Sequence, residues 1–509
     1  MDNPTSFGSF IPLRTPRRQA SKRSGRSGLA SELEHAALSS ATPPYLITAL
    51  YLILPNLPLL FSSRVFGGST RGYISLEYLL IGALGVFLPR FVVMALLSFE
   101  LLADFAYSVC NAYQFSVEEL LFSLRYIFAL PTSRLIEGFC VLGLGILLCA
   151  VLALLRPRGG QRLWTAGAML VCTAVLIVFD IIGGESQIWH KDVARISYRA
   201  ARTPIATLVF RQIKFNIAAR KSHLGEDTPM NSASDHAISF LTNHKGSMES
   251  PNVVLIVVES WGIPLDEHLG SALTAPYDDP RVLLKYVVSR GTVPFTGHTV
   301  PGEARELCHS MIGFGILHPA PETVAHCLPA FFHARGYQNF AVHGFIGQNF
   351  SRSSWYPRLG FDRSWFGPEL NRMGLPNCPG SFPGVCDGSI ANWIGGELQS
   401  EQQDQPRFIY WVTLNSHLIE PEHPDLPDDG VCATEVALRD SAALCSWFRL
   451  VRAVNQSVSL TALVPTERPT VFVIVGDHAP PFGDPQLRAE FSSSLVPYEM
   501  LTPKESRPH

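Results

Sequence analysis

The sequence predicts an α-helical multi-pass membrane domain followed by an α/β domain outside the cytoplasm. Long apolar runs are confined to the first 185 residues. Charged residues make up only 16% of the chain, whose mean hydropathy is +0.17, whereas soluble domains carry about 25%. From residue 251 onward, β-branched runs alternate with helical stretches. That alternation is typical of a mostly parallel sheet covered by helices on both faces.

The chain has 509 residues, enough for two or three folded units. Its 40 Lys and Arg residues nearly balance 43 Asp and Glu residues, giving a net charge of −3. A dedicated nucleic-acid binder shows a basic excess, so that class is excluded. Residues 3–31 carry six basic side chains and no acidic one. We therefore expect residues 1–42 to be a disordered basic tail in the cytoplasm.

Five membrane spans are predicted from the apolar runs, each near the ~20 residues that cross a hydrocarbon core. The basic tail and the basic loop at 156–162 both favour the cytoplasm, which five crossings allow and four do not. Everything after residue 185 then lies outside. The predicted spans are 44–62, 73–89, 91–109, 137–155 and 163–183, within a membrane domain of residues 43–185.

Two carboxylates, Glu100 and Asp104, lie one helical turn apart in the third predicted span. Acidic groups inside a span are costly to bury and are candidates for function. Their position near the outer end, where water can reach them, favours a structural role instead. A linker follows at 186–250, and its basic and apolar residues alternate from Gln187 to Ser222. This pattern predicts an amphipathic helix at the membrane surface.

Residues 251–509 are predicted to form the outer α/β domain. Buried strands are expected at 252–258, 337–343, 407–414 and 470–475, with helices around 302–315, 323–335, 389–400 and 433–454. In such sheets, functional sites form beyond the carboxyl ends of the strands.

This outer domain contains an even number of cysteines, which favours disulfides outside the cytoplasm. Six cysteines allow 15 pairings. We prefer the local pairs, because the third and fourth cysteines bracket a short loop rich in Pro and Gly. A zinc site is the alternative, but the region has no CxxC pair. The preferred pairs are Cys308–Cys327, Cys378–Cys386 and Cys432–Cys445.

Polar side chains follow the first and the last of the predicted strands. Glu259 ends the first, and Asp477 and His478 end the last. Carboxylate and imidazole groups are suitable ligands for a divalent cation. A turn marked by Gly and Pro places Thr299 at a helix start, where backbone N–H groups favour a bound phosphate. A metal beside this hydroxyl would lower its pKa and make it a nucleophile.

Together these motifs resemble the lipoteichoic acid synthase and phosphoethanolamine transferase group of the alkaline phosphatase/sulfatase superfamily, in which helical spans precede an outer catalytic domain. The matching segments are NVVLIVVESWG (252–262), GHTVPGE (297–303), HGF and NFSR (343–352), LNSH (414–417), GDHAPPFG (476–483) and VPYEMLTPK (496–504).

The resemblance implies an alkaline-phosphatase-like fold and a set of site residues. Glu259, Thr299, Asp477 and His478 would hold a divalent ion (Mn, Zn or Mg), with Thr299 also the nucleophile. His417 would lie near the transferred phosphate, and Arg352 would contact the substrate phosphate or head group. His343 and Glu303 are further substrate-binding candidates, with a structural role as the alternative.

The implied activity is that of a phosphotransferase anchored in the inner or plasma membrane, with its catalytic domain periplasmic or extracellular. It would move phosphoethanolamine or phosphoglycerol from a phospholipid donor to an envelope glycan or lipid through a phospho-Thr intermediate. The alternatives are a phosphodiesterase or sulfatase-like hydrolase of the same superfamily and a non-catalytic binding protein.

Two departures from related motifs bear on specificity. Thr299 replaces the Cys or Ser of sulfatases, and no Arg stands two residues after Pro301, which disfavours sulfate esters. Phe350-Ser351-Arg352 differs from the Trp-Asn-Arg of lipoteichoic acid synthases, which leaves the head group open.

Overall fold

The structure is a computed structural model that describes most of the chain from residue 43 onward. The described ranges are 43–60, 74–112, 132–155, 160–183, 201–210, 212–213, 231–243, 250–310, 313–379, 382–399, 404–417, 430–482 and 485–504, with isolated positions between 117 and 157. The predicted basic tail and most of the predicted amphipathic segment lie outside these residues. Within that segment, residues 204–210 are helical.

Five apolar helices fall on the five predicted spans. They are Pro44–Ile53, Leu76–Gly85, Arg90–Ala112, Thr132–Leu154 and Gln161–Gly183. The last three are long and apolar enough to cross a membrane, whereas the first two belong to shorter apolar helices. Leu76–Gly85 has 10 residues, about 15 Å of helix and thus roughly half of a hydrocarbon core. The number of crossings therefore stays a prediction.

The two carboxylates of the third predicted span are buried, each with 0% of its surface exposed. Arg202 contacts Asp104 through two nitrogens, with Nε 2.9 Å from Oδ1 and Nη2 2.5 Å from Oδ2. The Ser75 hydroxyl donates to Glu100 Oε1 at 2.8 Å. The expectation that water reaches these groups is wrong, because protein atoms enclose them. These contacts support the structural role that the sequence favoured.

A short parallel pair of strands brings Arg202 to this position. Strand β1 (Ile74–Ser75) pairs with β2 (Ala201–Arg202), so Ser75 lies opposite Arg202. Asn56 joins them, because its Oδ1 accepts from Ser75 N at 2.9 Å and from Arg202 Nη2 at 3.3 Å. The segment that follows the predicted spans is thus attached to them by buried polar contacts.

A seven-stranded sheet forms the centre of the outer domain. The strands of this sheet are β3 (Asn252–Val258), β4 (Tyr286–Pro294), β5 (Gln338–His343), β6 (Arg363–Trp365), β9 (Arg407–Val412), β10 (Thr470–Gly476) and β11 (Leu495–Pro503). Two short strands, β7 (Asn377–Cys378) and β8 (Gly384–Val385), form a separate pair. The order in the large sheet is β4-β11-β10-β3-β9-β5-β6. Strands β10, β3, β9, β5 and β6 are parallel, and β11 and β4 add an antiparallel edge.

Helices cover both faces of this sheet. They are Ser234–Asn243, Glu267–Thr274, Pro280–Lys285, Thr299–Cys308, Pro321–His326, Leu328–His333, Arg352–Leu359, Gly367–Arg372, Asp387–Gln399, Val431–Thr434, Val436–Arg439, Ala442–Leu463 and Pro485–Ala489. Every residue of β3 is buried. Val254, Ile256 and Val258 pack in one core, and Val253, Leu255 and Val257 pack in the other. The predicted parallel sheet covered on two sides is confirmed.

The structure differs from the predicted elements mainly at the sheet edge. Strands β4 and β11 were not predicted, because β4 is only partly buried with Ser289, Arg290 and Gly291 at its centre, and Pro497 interrupts the apolar pattern of β11. Proline lacks an N–H donor, and Pro497 lies just before the residues of β11 that pair with β10. The helix expected at 323–335 is divided at Cys327, and Pro329 stands at the start of the second half.

Three disulfides staple the outer domain. They join Cys308 to Cys327, Cys378 to Cys386 and Cys432 to Cys445. These are the local pairs preferred from the sequence. The four remaining cysteines are outside these disulfides and lie in the N-terminal helices: Cys110, Cys140, Cys149 and Cys172.

We expect the denatured, unreduced full-length chain to accept four thiol labels. Of the ten cysteines of the sequence, six are in these disulfides and four are outside them. Intact-mass measurement after alkylation would count the labels, and prior reduction should raise the count to ten. Five or more labels without reduction would contradict the disulfides.

We also expect Asp104→Ala to lower the stability of the N-terminal region by about 3–5 kcal/mol, because it leaves the Arg202 charge buried without its partner. The measurement is thermal unfolding of the detergent-solubilised chain. The double variant Asp104→Leu/Arg202→Leu removes both charges and should recover much of the loss. Equal destabilisation by the single and double variants would show that the ion pair is not the cause.

Candidate functional site: a carboxylate–histidine cluster

The site begins at the carboxyl ends of two neighbouring strands. In the parallel pairing of β3 and β10, Val258 lies opposite Gly476. The next residues along each strand, Glu259 and Asp477, are therefore brought side by side, with His478 following. One possible ligand atom from each of these three residues lies within 4.8 Å of the others. The structure thus brings together three of the four predicted metal ligands.

Hydrogen bonds with the backbone orient the side chains of Asp477 and His478, the two residues that follow β10. Asp477 Oδ1 accepts from the backbone N–H groups of Ser260 at 2.8 Å and His478 at 2.7 Å. Among the described residues, Asp477 Oδ2 accepts no hydrogen bond although it is buried. His478 Nδ1 lies 2.8 Å from the Ala479 carbonyl, and its Nε2 lies 3.2 Å from Glu259 Oε1. A histidine that donates from Nδ1 presents Nε2 to a metal.

The turn after β3 has an unusual backbone conformation. Ser260 has a φ of +58°, in the left-handed region that non-glycine residues rarely adopt. Two contacts hold it there: its N–H donates to Asp477 Oδ1, and its carbonyl accepts from Trp447 Nε1 at 2.8 Å. Such conformations persist where the surrounding structure fixes them, often at functional sites.

Electrostatic coupling in the cluster favours a cation. Burial and the charge of Glu259 raise the pKa of Asp477 to about 8. Burial also acts to raise the pKa of Glu259, but the charges of His417 and His478 and the Thr299 hydrogen bond outweigh it and hold the pKa well below its usual range. Burial lowers the pKa of His478, yet the two carboxylates raise it to about 9. Two buried carboxylates thus compete for positive charge, which a divalent ion would supply.

Thr299 completes the set of predicted ligands. It is the first residue of the helix Thr299–Cys308 and is 4% exposed. Its hydroxyl donates to Glu259 Oε2 at 2.8 Å. The helix can lie this close because residue 302 is glycine: a Cβ there would be 2.9 Å from Asp477 Cβ. The nucleophile candidate, a carboxylate base and a helix N-terminus therefore meet at one point.

The donor set fits a divalent metal. Two carboxylates, one imidazole and one hydroxyl are ligands that Mg²⁺, Mn²⁺ or Zn²⁺ accept in proteins. Asp477 Oδ2 is buried and accepts no hydrogen bond from the described residues, and this free acceptor points to a bound ligand. That these residues bind a metal stays a prediction.

His417 lies beside this cluster and closer to solvent. Its Nε2 is 4.0 Å from Glu259 Oε1, and 24% of its side chain is exposed, compared with 7% for His478. Burial lowers its pKa. The position is consistent with a residue that faces a substrate.

Asp387 holds the loop that carries His417, and the sequence analysis missed it. Its carboxylate accepts from the backbone N–H groups of Leu414 at 3.0 Å and Asn415 at 2.7 Å. Burial raises its pKa to about 7. Its place directly after Cys386, at a helix start, was the available signal.

Phe382 is a second residue that the sequence analysis missed. Its ring meets the His417 ring edge-on at 4.6 Å and the Phe345 ring at 5.5 Å. It lies between β7 and β8, in the loop that the Cys378–Cys386 disulfide closes. The disulfide loop therefore supplies an aromatic wall next to His417.

The remaining candidates form a buried network. Glu303 Oε1 accepts from Arg352 Nε at 2.9 Å and Nη2 at 2.6 Å. Arg352 Nη1 lies 3.2 Å from His343 Nε2, and His343 Nδ1 lies 3.0 Å from the Val412 carbonyl. Burial and the charge of Arg352 lower the pKa of His343 to about 3, which keeps it neutral. These contacts favour the structural role for Glu303 and His343.

Arg352 is 1% exposed, and its N–H groups contact both Glu303 and His343. The preceding Phe350 and Ser351 have φ of +49° and +53°, and the Phe350 ring lies 5.3 Å from the Arg352 guanidinium carbon. Contact between Arg352 and a substrate stays a prediction.

A family model, one relative and several solved structures are each similar to part of this chain. Residues 251–500 match the Sulfatase family model. A Rhizobium meliloti (strain 1021) protein with the provisional description "cyclic beta-1,2-glucan modification protein" is 24% identical over 248 residues. The match covers 47% of this chain and 37% of that protein.

Several solved structures are also similar. The lipoteichoic acid synthase LtaP from Listeria monocytogenes has 15% identity and a TM-score of 0.38, over 52% of this chain and 68% of that chain. The phosphoglycerol transferase GacH from Streptococcus pyogenes has 15% identity and a TM-score of 0.36, over 54% and 76%. The zinc complex of the periplasmic domain of EcEptC from Escherichia coli has 13% identity and a TM-score of 0.33, over 50% and 73%. The outer part of the chain, residues 251–500, therefore carries a domain that matches the Sulfatase family model.

Proposed function

We propose that the chain is a membrane-anchored, metal-dependent phosphotransferase that moves a phospho-head-group from a phospholipid to an envelope glycan or lipid. The observation that carries this proposal is the Thr299 hydroxyl, 2.8 Å from Glu259 Oε2 at the start of a helix. A hydroxyl hydrogen-bonded to a buried carboxylate is arranged as a nucleophile with its base.

In the first half-reaction, Glu259 Oε2 accepts the Thr299 proton while Thr299 Oγ1 attacks the phosphorus of the phospholipid. The bond from phosphorus to the diacylglycerol oxygen breaks, and His417, whose protonated form the bound phosphate anion favours, donates a proton to that leaving oxygen. A divalent ion at the cluster would polarise the hydroxyl and neutralise phosphate charge. The N-terminal N–H groups of the Thr299–Cys308 helix stabilise charge on the phosphate oxygens.

In the second half-reaction, an acceptor hydroxyl attacks the phospho-Thr and His417 takes its proton. Thr299 leaves and recovers a proton from Glu259. The description of the Rhizobium meliloti relative, which names modification of a cyclic glucan, supports a glycan acceptor. Water as the acceptor would give a hydrolase with the same first half-reaction.

The membrane location is proposed on separate grounds. In the part of the chain that the structure describes, three helices are long and apolar enough to span a membrane. The positive-inside rule puts the following domain outside the cytoplasm, and three disulfides are suited to an oxidising compartment. A donor phospholipid would then be available in the same outer leaflet.

We expect Thr299→Ala to reduce transfer by at least about 10³-fold, since it removes the attacking oxygen. Incubation of the unmodified chain with phospholipid should add the mass of the head group to Thr299, which peptide mass spectrometry would detect. The same measurement with and without a glycan acceptor separates transfer from hydrolysis.

The control for this variant is its stability. Thermal unfolding of Thr299→Ala should stay close to that of the unmodified chain, because among the described residues the hydroxyl makes one side-chain hydrogen bond, to Glu259. If the alanine variant kept more than a few per cent of the activity, Thr299 would not be the nucleophile. Inactivity of the unmodified chain towards all phosphodiesters would favour the non-catalytic binding protein.

We expect Mn²⁺ to raise the melting temperature of the outer domain in a concentration-dependent way. At 100 times Kd, binding adds about 2.7 kcal/mol, which is on the order of 5–10 °C for a domain of this size. Asp477→Ala and Glu259→Ala should abolish the rise, because they remove carboxylates of the cluster.

His417→Ala is the matched comparison. His417 lies 4.0 Å from Glu259 Oε1 and is the more exposed histidine. This variant should keep the metal-dependent rise in melting temperature and lose turnover. Loss of the rise in His417→Ala as complete as in Asp477→Ala would make His417 a metal ligand instead.

A further inference from the structure

A buried ion pair lies on the Thr299–Cys308 helix, nearly two turns beyond Thr299. Arg305 is 1% exposed and Glu306 is 0% exposed, and Arg305 Nε lies 2.6 Å from Glu306 Oε1. Two adjacent charges are costly to bury unless further hydrogen bonds satisfy them. Each partner has such bonds, and they lead to different parts of the chain.

Arg305 contacts the strand end that carries the metal-ligand candidates. Its Nη2 donates to the Gly476 carbonyl at 2.6 Å, and its Nη1 lies 3.4 Å from the Asp477 carbonyl. Nη1 also donates to the Pro294 carbonyl at 3.1 Å. The rigid, planar guanidinium therefore fixes the backbone from which the Asp477 side chain projects.

Glu306 contacts the segment that arrives from the membrane domain. Its Oε2 accepts from Ser234 N at 3.0 Å, and its Oε1 accepts from Ala233 N at 3.3 Å. The Ser234 hydroxyl donates to the Glu306 carbonyl at 2.7 Å. Ser234 begins the helix Ser234–Asn243, so a carboxylate from another helix caps its positive N-terminus.

Further contacts make this helix part of the outer domain. Ala233 and Ala237 are 0% and 2% exposed and pack in the same core as β3. His309 Nδ1 lies 2.8 Å from Ser232 Oγ, and Tyr498 OH lies 2.9 Å from His236 Nε2. Residues 232–237, which make these contacts with the outer domain, fall within 186–250, the range predicted from the sequence to be a linker.

We infer that residues 231–243 position Asp477 for metal binding through Glu306 and Arg305. This inference rests on the metal site of the proposed function. If the Ser234 and Ala233 donors are lost, Glu306 keeps a buried charge whose Oε2 has lost its hydrogen-bond donor, while Oε1 keeps only Arg305 Nε. Arg305 must then shift to compensate, and the Gly476–Asp477 backbone loses its anchor. Glu306 and Arg305 are positioning residues, since neither is among the cluster of ligand atoms.

The test measures metal affinity on the detergent-solubilised full chain with Mn²⁺ alone, from the electron paramagnetic resonance signal of free Mn²⁺. Ser234→Pro removes the N–H group that donates a hydrogen bond to Glu306 Oε2, and proline is well suited to the first position of a helix. Glu306→Gln removes the charge that pairs with Arg305. We expect both variants to raise the Mn²⁺ Kd by ~10–100-fold, the usual effect of losing a group that orients a ligand.

Two controls separate positioning from general destabilisation. Ser234→Ala removes the hydroxyl but keeps the N–H, so it should change the Kd less than Ser234→Pro. Arg407→Met breaks a largely buried ion pair with Glu397 (3.0 Å) at the amino-terminal end of β9, the end opposite the site. It should lower the metal-free melting temperature and leave the Mn²⁺ Kd unchanged.

The inference is overturned if Ser234→Pro and Glu306→Gln bind Mn²⁺ as tightly as the unmodified chain. It is also overturned if Arg407→Met weakens binding to the same degree, or if the unmodified chain binds no Mn²⁺. Normal Mn²⁺ binding without any transfer activity would count against the proposed function and leave the positioning role standing.

Discussion

The outer domain depends on one constraint: two carboxylates must stay close together in a buried place. Glu259 and Asp477 follow adjacent parallel strands and are 2% and 1% exposed. In water such groups would separate or be screened, whereas here the sheet holds them and their charges interact strongly. The surrounding contacts compensate. Ser260 and His478 donate backbone N–H groups to Asp477, and the Thr299 hydroxyl binds Glu259. A cation is the natural partner for this arrangement, and the nucleophile candidate is part of the same contact set.

The order of strands explains why this much of the site was predictable from sequence. A continuous β-branched run predicts a strand buried on both faces, and polar residues after two such runs meet when the strands are parallel neighbours. Two other buried contacts could not be predicted in this way: Arg202 with Asp104, and Glu306 with Ser234. Their partners are 98 and 72 positions apart in the sequence and lie in no common motif. Strands β4 and β11 escaped detection for a different reason: the edge strand β4 is only partly buried and is polar at its centre, and Pro497 interrupts β11, so both apolar patterns are weak.

The site separates residues that face outward from residues that hold them in place. The rings of His417 and Phe382 contact each other, and 24% of the His417 side chain is exposed, so a substrate can reach this part of the site. Asp387, Glu303 and Arg305 are buried and bind backbone or other buried side chains. Changes in the first group are expected to alter selectivity, and changes in the second to alter geometry. In the third predicted span, the two acidic side chains belong to the second kind, since Asp104 is paired with Arg202 and Glu100 is bonded to Ser75.

The arrangement of the disulfides has a consequence for biogenesis. The three pairs are separated by 19, 8 and 13 residues, and they follow one another along the chain without overlapping or enclosing one another. A chain that emerges across a membrane from its N-terminal side exposes both cysteines of one pair before the first cysteine of the next. An oxidase that joins each cysteine to the next one to appear would therefore produce the native pairing directly. Reshuffling by an isomerase would not be required, and the wall that carries Phe382 would be closed before the last third of the domain had been translocated.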